Sequence, residues 1–454
     1  MKKKEDMKCI KRGEFLTKLL IAIFLIGMCV LVFKIVTEAS FYMKHSNHVS
    51  LGCVYDRSGD VLFDPDADTD TYSYDHFIDV GNLIGDDSGM MTNTLVSENR
   101  TLLSNYNPIF GIMEHGQSAI YTTLDHEANR TVYDAFGSRD GTAIAYNYKT
   151  GEIYVCVSKP NVNVLDFEDV DSLPSGSLIC KAFYRTVPGS TQKVSTLAAA
   201  IEQMGFETVS NKTYSCDGVY YNNYGNEIDC HSSYGHGSQD IFRAFQNSCN
   251  PYFAQLVQDM QLQLLKDTFR NMGYSVNNSK APELDIDGIS VFRGSTELDD
   301  VNDFDTQWGC MGQSKTEVSP CQLMMWQSAV ANCSNSVTKP YLISHVKNVF
   351  GNEKDKSETS YESAGFSAET AAYVREVMLE NGRVKYNDKI GYNIGAKSGT
   401  AQIQDGASEN NLLVGFVDDS SFPIAFCVVI EDNAGGYLST EYITSTMLNA
   451  IANE

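Results

Sequence analysis

The chain is 454 residues long, 43% hydrophobic and 20% charged, a balance that suits a folded protein with a large core and excludes wholesale disorder. Its net charge of −24 sets 58 acidic against 34 basic side chains, which argues against nucleic-acid binding. Residues 1–36 hold eight basic and three acidic side chains, which leaves 26 basic and 55 acidic beyond them, an excess read most simply as solubility.

The first element is apolar. Leu19 to Phe33 reads LLIAIFLIGMCVLVF without a charge, between Lys18 and Lys34. Roughly 20 such residues cross a bilayer as a helix, so 15–36 is expected to be a transmembrane anchor. Lys2, Lys3, Lys4, Lys8, Lys11 and Arg12 outnumber Glu5, Asp6 and Glu14, which predicts a cytoplasmic tail over 1–14 and an extracytoplasmic remainder. Thr37-Glu38-Ala39 offers small residues for cleavage, so a removed signal peptide is the competing reading; the length of the apolar run favours the anchor.

Next, Gly52 to Leu62 reads as two short strands around a Ser-Gly-Asp turn, and Asp, Ser, Asn and Gly then dominate to about residue 120. A small, loop-rich, pedestal-like linker domain is expected over 37–136. From Gly141, two β-rich runs, Thr142 to Tyr148 and Glu152 to Ser158, flank Lys149-Thr150-Gly151 and predict a hairpin. Helical patterns follow at Ser190 to Met204, Asp240 to Phe245, Tyr252 to Met272, Pro320 to Ala331 and Ala368 to Glu380; Asn411 to Val417 and Phe422 to Ile430 return to strand composition. Strands at both ends with helices between predict one α/β domain over 137–454.

Ten of the 12 cysteines lie beyond the anchor, scattered and without CxxC or another metal-ligand spacing, so no metal is expected. Cys216 and Cys230 bracket a Tyr/Asn/Gly-rich loop and are either bridged or two buried thiols; the sequence leaves both open.

The stretch Val187-Pro188-Gly189-Ser190-Thr191-Gln192-Lys193-Val194 sets a hydroxyl and an amine three residues apart where a helix begins. On a helix the two share a face, and a discharged amine there takes the serine proton. The spacing alone says little, because Ser336-Val337-Thr338-Lys339 and Ser344-His345-Val346-Lys347 repeat it without a following helix start. Order adds meaning: Ser248-Cys249-Asn250 and then Lys397-Ser398-Gly399-Thr400 follow Ser190. Ser97-Glu98-Asn99, Ser275-Val276-Asn277, Ser408-Glu409-Asn410 and Lys149-Thr150-Gly151 match the later motifs in the wrong context.

In this order the motifs resemble those of the serine penicillin-binding protein and β-lactamase superfamily, SxxK, SxN and KTG or KSG. Asn247 to Ala254 is similar to its SCNxYFA segment, with His236-Gly237 ahead of it. Met311-Gly312-Gln313 with Val318-Ser319-Pro320-Cys321-Gln322 resembles GQ...TPxQ, and Tyr55 to Gly59 resembles the YDRNG segment of class B members. The implied fold is α/β: an antiparallel sheet flanked by helices plus an all-helical lobe, preceded by the small N-terminal domain and the membrane helix. The segment 37–136 looks short beside the usual class B pedestal, and Cys249 inside the second motif reads as a small filler, with a redox sensor as the alternative.

The resemblance implies Ser190 as acylated nucleophile, Lys193 as general base, Ser248 as proton relay and Asn250 as holder of Lys193 and a substrate amide. Lys397 would supply positive charge that lowers the Lys193 pKa and draws a carboxylate, which Ser398 and Thr400 bind, while Gly399 completes the motif. Backbone N–H groups of Ser190 and Thr400 would form the oxyanion hole. The implied activity is a cofactor-free peptidoglycan D,D-transpeptidase, with carboxypeptidase activity when water is the acceptor and with penicillins as acylating mimics. No glycosyltransferase-sized segment precedes the catalytic part, so a SEDS-type membrane glycosyltransferase is the expected partner. A catalytically slow scaffold and a membrane-anchored β-lactamase or β-lactam sensor are the alternatives; the absence of an ExxLN stretch disfavours the lactamase.

Overall fold

The computed structural model describes residues 2–44, 50–68, 70–73, 75–107, 111–113, 115–165, 170–403 and 408–453. A helix runs over Lys2–Lys44, and its section Ile10–Ile35 is 26 residues long and not buried against the rest of the protein. At 1.5 Å per residue that section exceeds the roughly 30 Å of a bilayer core, so it fits a single-pass membrane anchor. The helix is longer than the expected 15–36 because good helix formers, Lys and Glu among them, flank the apolar run.

Beyond it, Cys53–Tyr55 and Val61–Phe63 pair antiparallel around a turn that Asp56 holds. Asp56 Oδ1 accepts from the backbone N–H of Ser58 at 2.8 Å and of Asp60 at 2.7 Å. Two such short strands cannot stand alone in water. They join a five-stranded sheet in the order 353–356, 343–347, 119–122, 53–55, 61–63. The stretch 37–136, expected as its own unit, therefore shares its sheet with strands some 200 residues later. The tetrad Ser344 to Lys347 lies on one of those strands, which accounts for its lack of a helix.

The main sheet is antiparallel, in the order 394–403, 408–417, 424–430, 141–147, 153–159. Its middle strand, Ile424–Ile430, is buried at every position. Alternation explains this: Ile424, Phe426, Val428 and Ile430 face one core with Val132, Phe136, Met447 and Leu448, whereas Ala425, Cys427 and Val429 face another with Met324, Met325 and Ala329. The first face is covered by helices His126–Ala135 and Thr440–Ala452, so the last part of 37–136 packs on the catalytic-side sheet. The second face is covered by Pro320–Ala331, capped by Ser319, whose side chain accepts from Gln322 N–H at 3.1 Å.

A helical lobe fills the space between the outer strands in sequence. It includes Lys193–Met204, Ile241–Gln246, Asn250–Gln258, Leu262–Asn271 and Ala368–Lys385. The helix expected over 252–272 is two, broken at Asp259 to Gln261. The break is tertiary in origin: Gln203 Oε1 accepts from Gln261 N–H at 2.6 Å, a contact that periodicity cannot show. The expected helix from Ser190 is likewise split, with a 3-10 turn over Gly189–Gln192 before the α-helix starts at Lys193.

Candidate active site

Glycines set the approach to Ser190. Gly189 sits at φ +51, and its N–H donates to Gly312 O at 2.9 Å. A Cβ on Gly312 would lie 1.9 Å from Gly189 O, so the turn Met311 to Gln313 braces the nucleophile turn only with glycine at its centre. Upstream, Thr186 and Val318 exchange backbone hydrogen bonds of 3.0 and 2.9 Å, which ties the approach segment to the TPxQ-like stretch.

The edge strand Ile394–Ile403 closes on the same turn from the sheet side. A Cβ on Gly399 would lie 2.8 Å from Pro188 O and 3.1 Å from Ser190 N. The third position of the Lys-Ser-Gly motif is thus dictated by backbone-to-backbone approach.

Lys193 is fully buried one 3-10 turn past Ser190. Its Nζ lies 2.8 Å from Ser190 Oγ and donates to Asn250 Oδ1 and to Ser248 O, each at 2.7 Å. Ser248 holds its hydroxyl there from a left-handed backbone, φ +50, unusual for a residue with a side chain. Lys397, 1% exposed, donates to Ser248 Oγ at 2.9 Å and to Ser398 O at 2.8 Å. Ser190, Lys193, Ser248, Asn250 and Lys397 therefore form one connected network.

Burial pushes the Lys193 amine down to about 7, although the nearby Cys249 and Cys230 oppose the shift. Burial also holds Lys397 well below the usual lysine range, with the charges of Lys193 and then Lys385 adding to it. The sequence reading had Lys397 discharging Lys193. Loss of water is the first cause at both amines, and the charge of one lysine beside the other adds to it.

Ser398, partly exposed, accepts a hydrogen bond from Tyr386 O–H at 2.7 Å, while Thr400 is exposed beside it. Asn250 Nδ2 donates to Asp229 O at 2.9 Å, so the loop ahead of the second motif orients the asparagine. Tyr386, Asp229 and Gln313, whose Nε2 donates to Thr400 O at 3.4 Å, were not given site roles by the sequence. Gln313 lies in the GQ-like segment, whereas Tyr386 and Asp229 carry no motif signal and reach the site through the fold.

Residues 141–453 match the family model described as the penicillin-binding protein transpeptidase domain. The chain belongs to the penicillin-binding protein transpeptidase family, as a class B member. It is 28% identical over 332 residues to stage V sporulation protein D of Bacillus subtilis, covering 70% of this chain and 49% of that protein. It is 22% identical over 351 residues to peptidoglycan D,D-transpeptidase MrdA of Acinetobacter baumannii, covering 70% of this chain and 51% of that protein. The chain thus spans about half the length of the curated relatives it matches.

Among solved structures, PBPA from Mycobacterium tuberculosis aligns with a TM-score of 0.72 at 17% identity, covering 89% of this chain and all of that one. The D,D-transpeptidase domain of a peptidoglycan glycosyltransferase from Eggerthella lenta aligns at 0.69 and 20% identity, covering 89% and 98%. The expected α/β architecture is this penicillin-binding protein fold.

A second cluster adjoins the network. Cys216, Cys230, His236 and Cys249 bring one ligand atom each within 4.8 Å of one another, although their spacing in sequence matches no familiar metal motif.

Proposed function

We propose that this protein is a membrane-anchored peptidoglycan D,D-transpeptidase that cross-links stem peptides through an acyl ester on Ser190. The observation that carries it is the contact of 2.8 Å between Ser190 Oγ and a buried Lys193 amine depressed to about 7, a base matched to neutral pH. Neutral Lys193 takes the serine proton as Oγ attacks the carbonyl carbon of the penultimate D-alanine. The N–H groups of Ser190 and Thr400 receive the oxyanion. Collapse breaks the peptide bond, and the departing amine of D-alanine takes a proton relayed by Ser248 from the lysine pair.

An acceptor amine then attacks the ester. Lys193 removes its proton, Ser190 recovers its own, and a new amide replaces the ester. Water as acceptor gives carboxypeptidase activity. Ser398 and Thr400 hold the donor's terminal carboxylate with Lys397 as the nearby cation, Gly399 allows the strand its approach, and Asn250 orients Lys193. The name of the Acinetobacter baumannii relative supports the reaction class, and the penicillin G acyl-enzyme of Mycobacterium tuberculosis penicillin-binding protein A supports acylation by penicillins.

The N-terminal helix anchors the enzyme with residues 1–14 in the cytoplasm, a placement that rests on the lysines ahead of the apolar run. Glycan polymerisation falls to a SEDS-type membrane glycosyltransferase partner, on the family resemblance. Full-length protein incubated with a fluorescent penicillin tests the central step. Long-lived label that Ser190→Ala abolishes is expected; rapid loss of label indicates a lactamase, and absence of label overturns acyl transfer.

A further inference from the structure

We propose that Cys216, Cys230, His236 and Cys249 form a structural zinc site that fixes the Ser248-Cys249-Asn250 motif. The geometry comes first. Cys216 Sγ and Cys230 Sγ lie 3.6 and 3.4 Å from His236 Nδ1. With Zn–S of about 2.3 Å and Zn–N of about 2.0 Å, the S-to-N edge of a tetrahedron is about 3.5 Å. All four ligand atoms fall within 4.8 Å of one another, and the three thiols are free of disulfides.

Three separate pieces of backbone supply the ligands. Cys216 ends the strand Tyr214–Cys216, whose partner Gly237–Gln239 follows His236 directly. Cys230 follows the strand Glu227–Asp229 and is held by its N–H donating to Gly218 O at 2.9 Å. Cys249 caps the helix Asn250–Gln258. Cys216 and Cys249 are buried, Cys230 is 9% exposed, and His236 is partly exposed.

The excursion that carries these ligands lacks a core of its own. Across residues 212–239, Ile228 is the one fully buried aliphatic side chain, alongside Cys216, Cys230, Asn222 and Gln239. Short strands with so little apolar burial need a staple, and a metal is one. Three soft thiolates and one imidazole select zinc over magnesium or calcium. Binding displaces three thiol protons to solvent, and one dication with three thiolates leaves a site of net charge −1.

Function follows from adjacency. Cys230 follows Asp229, whose carbonyl holds Asn250 Nδ2 at 2.9 Å, and Cys249 lies between Ser248 and Asn250. The metal therefore clamps both sides of the asparagine that orients Lys193. Cys249 reads as a filler in sequence, and Cys216 and Cys230 as a bridge or two buried thiols, because the ligands meet only in the folded chain.

Full-length protein purified in detergent without added metal is assayed for zinc by mass spectrometry, and its thiols are titrated before and after chelation. About one zinc per chain is expected, with the three thiols reactive only once it is removed. Cobalt reconstitution is expected to give thiolate charge-transfer and tetrahedral ligand-field bands, lost in Cys230→Ser and His236→Ala. Where a variant fails to fold, chelation and zinc return on the unmodified chain replace it; acylation should slow on the order of 10-fold and recover. A metal-free chain, a disulfide among the three cysteines, or zinc undiminished in Cys230→Ser and Cys216→Ser, which marks adventitious binding, each overturns the site. Penicillin label without zinc sinks the metal alone, and zinc without label sinks acyl transfer alone.

Discussion

Lys193 and Lys397 reach the same oxygen. Ser248 Oγ lies 3.3 Å from Lys193 Nζ and 2.9 Å from Lys397 Nζ, one amine coming from the nucleophile helix and the other from the edge strand of the main sheet. Burial lowers both amines, Lys193 to about 7, so at neutral pH the pair does not carry two full charges. The structure thereby makes a neutral amine available beside Ser190.

The rate of acylation is expected to rise with pH through about 7, the value to which Lys193 is depressed, because only the unprotonated amine accepts the serine proton. Lys193→Ala should remove this rise and slow labelling by about 100-fold to 10,000-fold. Stopped-flow measurement with a fluorescent penicillin across the neutral range checks it; an unchanged pH profile in the variant assigns the base elsewhere.

Gly399→Ala would put a methyl group 2.8 Å from Pro188 O, against backbone that has nowhere soft to yield. The strand must withdraw from the nucleophile turn, at a cost of about 1–3 kcal/mol. A lower melting temperature together with a drop in labelling rate is the expected outcome. Wild-type rates would show that the close approach is dispensable.

Tyr386→Phe removes the hydroxyl that donates to Ser398 Oγ at 2.7 Å. Losing one such hydrogen bond costs about 0.5–1.5 kcal/mol, a factor of roughly 2 to 10. Tyr386 is a positioning residue, so the loss should fall on the apparent affinity for penicillin and leave the maximal acylation rate near its original value. Saturation kinetics separate the two, and a loss confined to the maximal rate would contradict the role.

Far from the site, buried His126 lies between two carboxylates and as the cation donates to both, its Nδ1 2.6 Å from exposed Asp60 Oδ2 and its Nε2 3.3 Å from buried Asp79 Oδ1. Burial alone would lower its pKa, but hydrogen bonds and charge from Asp79 and Asp60 outweigh it and raise the ring from 6.5 to about 9. A raised pKa stabilises fully below the unfolded value and fades as pH climbs through the folded one, so the contribution should vanish between 6.5 and about 9. The melting temperature of wild type minus that of His126→Gln, followed over this window, is expected to shrink. A constant difference would dismiss the charged triad.

Much of the secondary structure was legible because its pattern is local. Pro320–Ala331 follows from Ser319 as cap, Pro320 in the first turn and an apolar run, and the strands 141–147 and 153–159 follow from β-branched runs around Gly151. The breaks were not legible. Asp259 to Gln261 interrupts a continuous helical pattern through a contact with Gln203, and the strand 343–347 pairs with 119–122.

By itself the sequence determined the chemical inventory and its order: an apolar anchor, then Ser190 and Lys193, then Ser248 and Asn250, then Lys397 to Thr400. Spacing within each motif is a property of a turn or a helix, which neighbouring residues control. Only the tertiary structure decided how the motifs meet. It buries both lysines, which discharges Lys193; it brings Tyr386 and Asp229 to the site; and it gathers Cys216, Cys230, His236 and Cys249 at one point. Desolvation and long-range convergence depend on what surrounds a residue in space, and no short stretch of sequence records that.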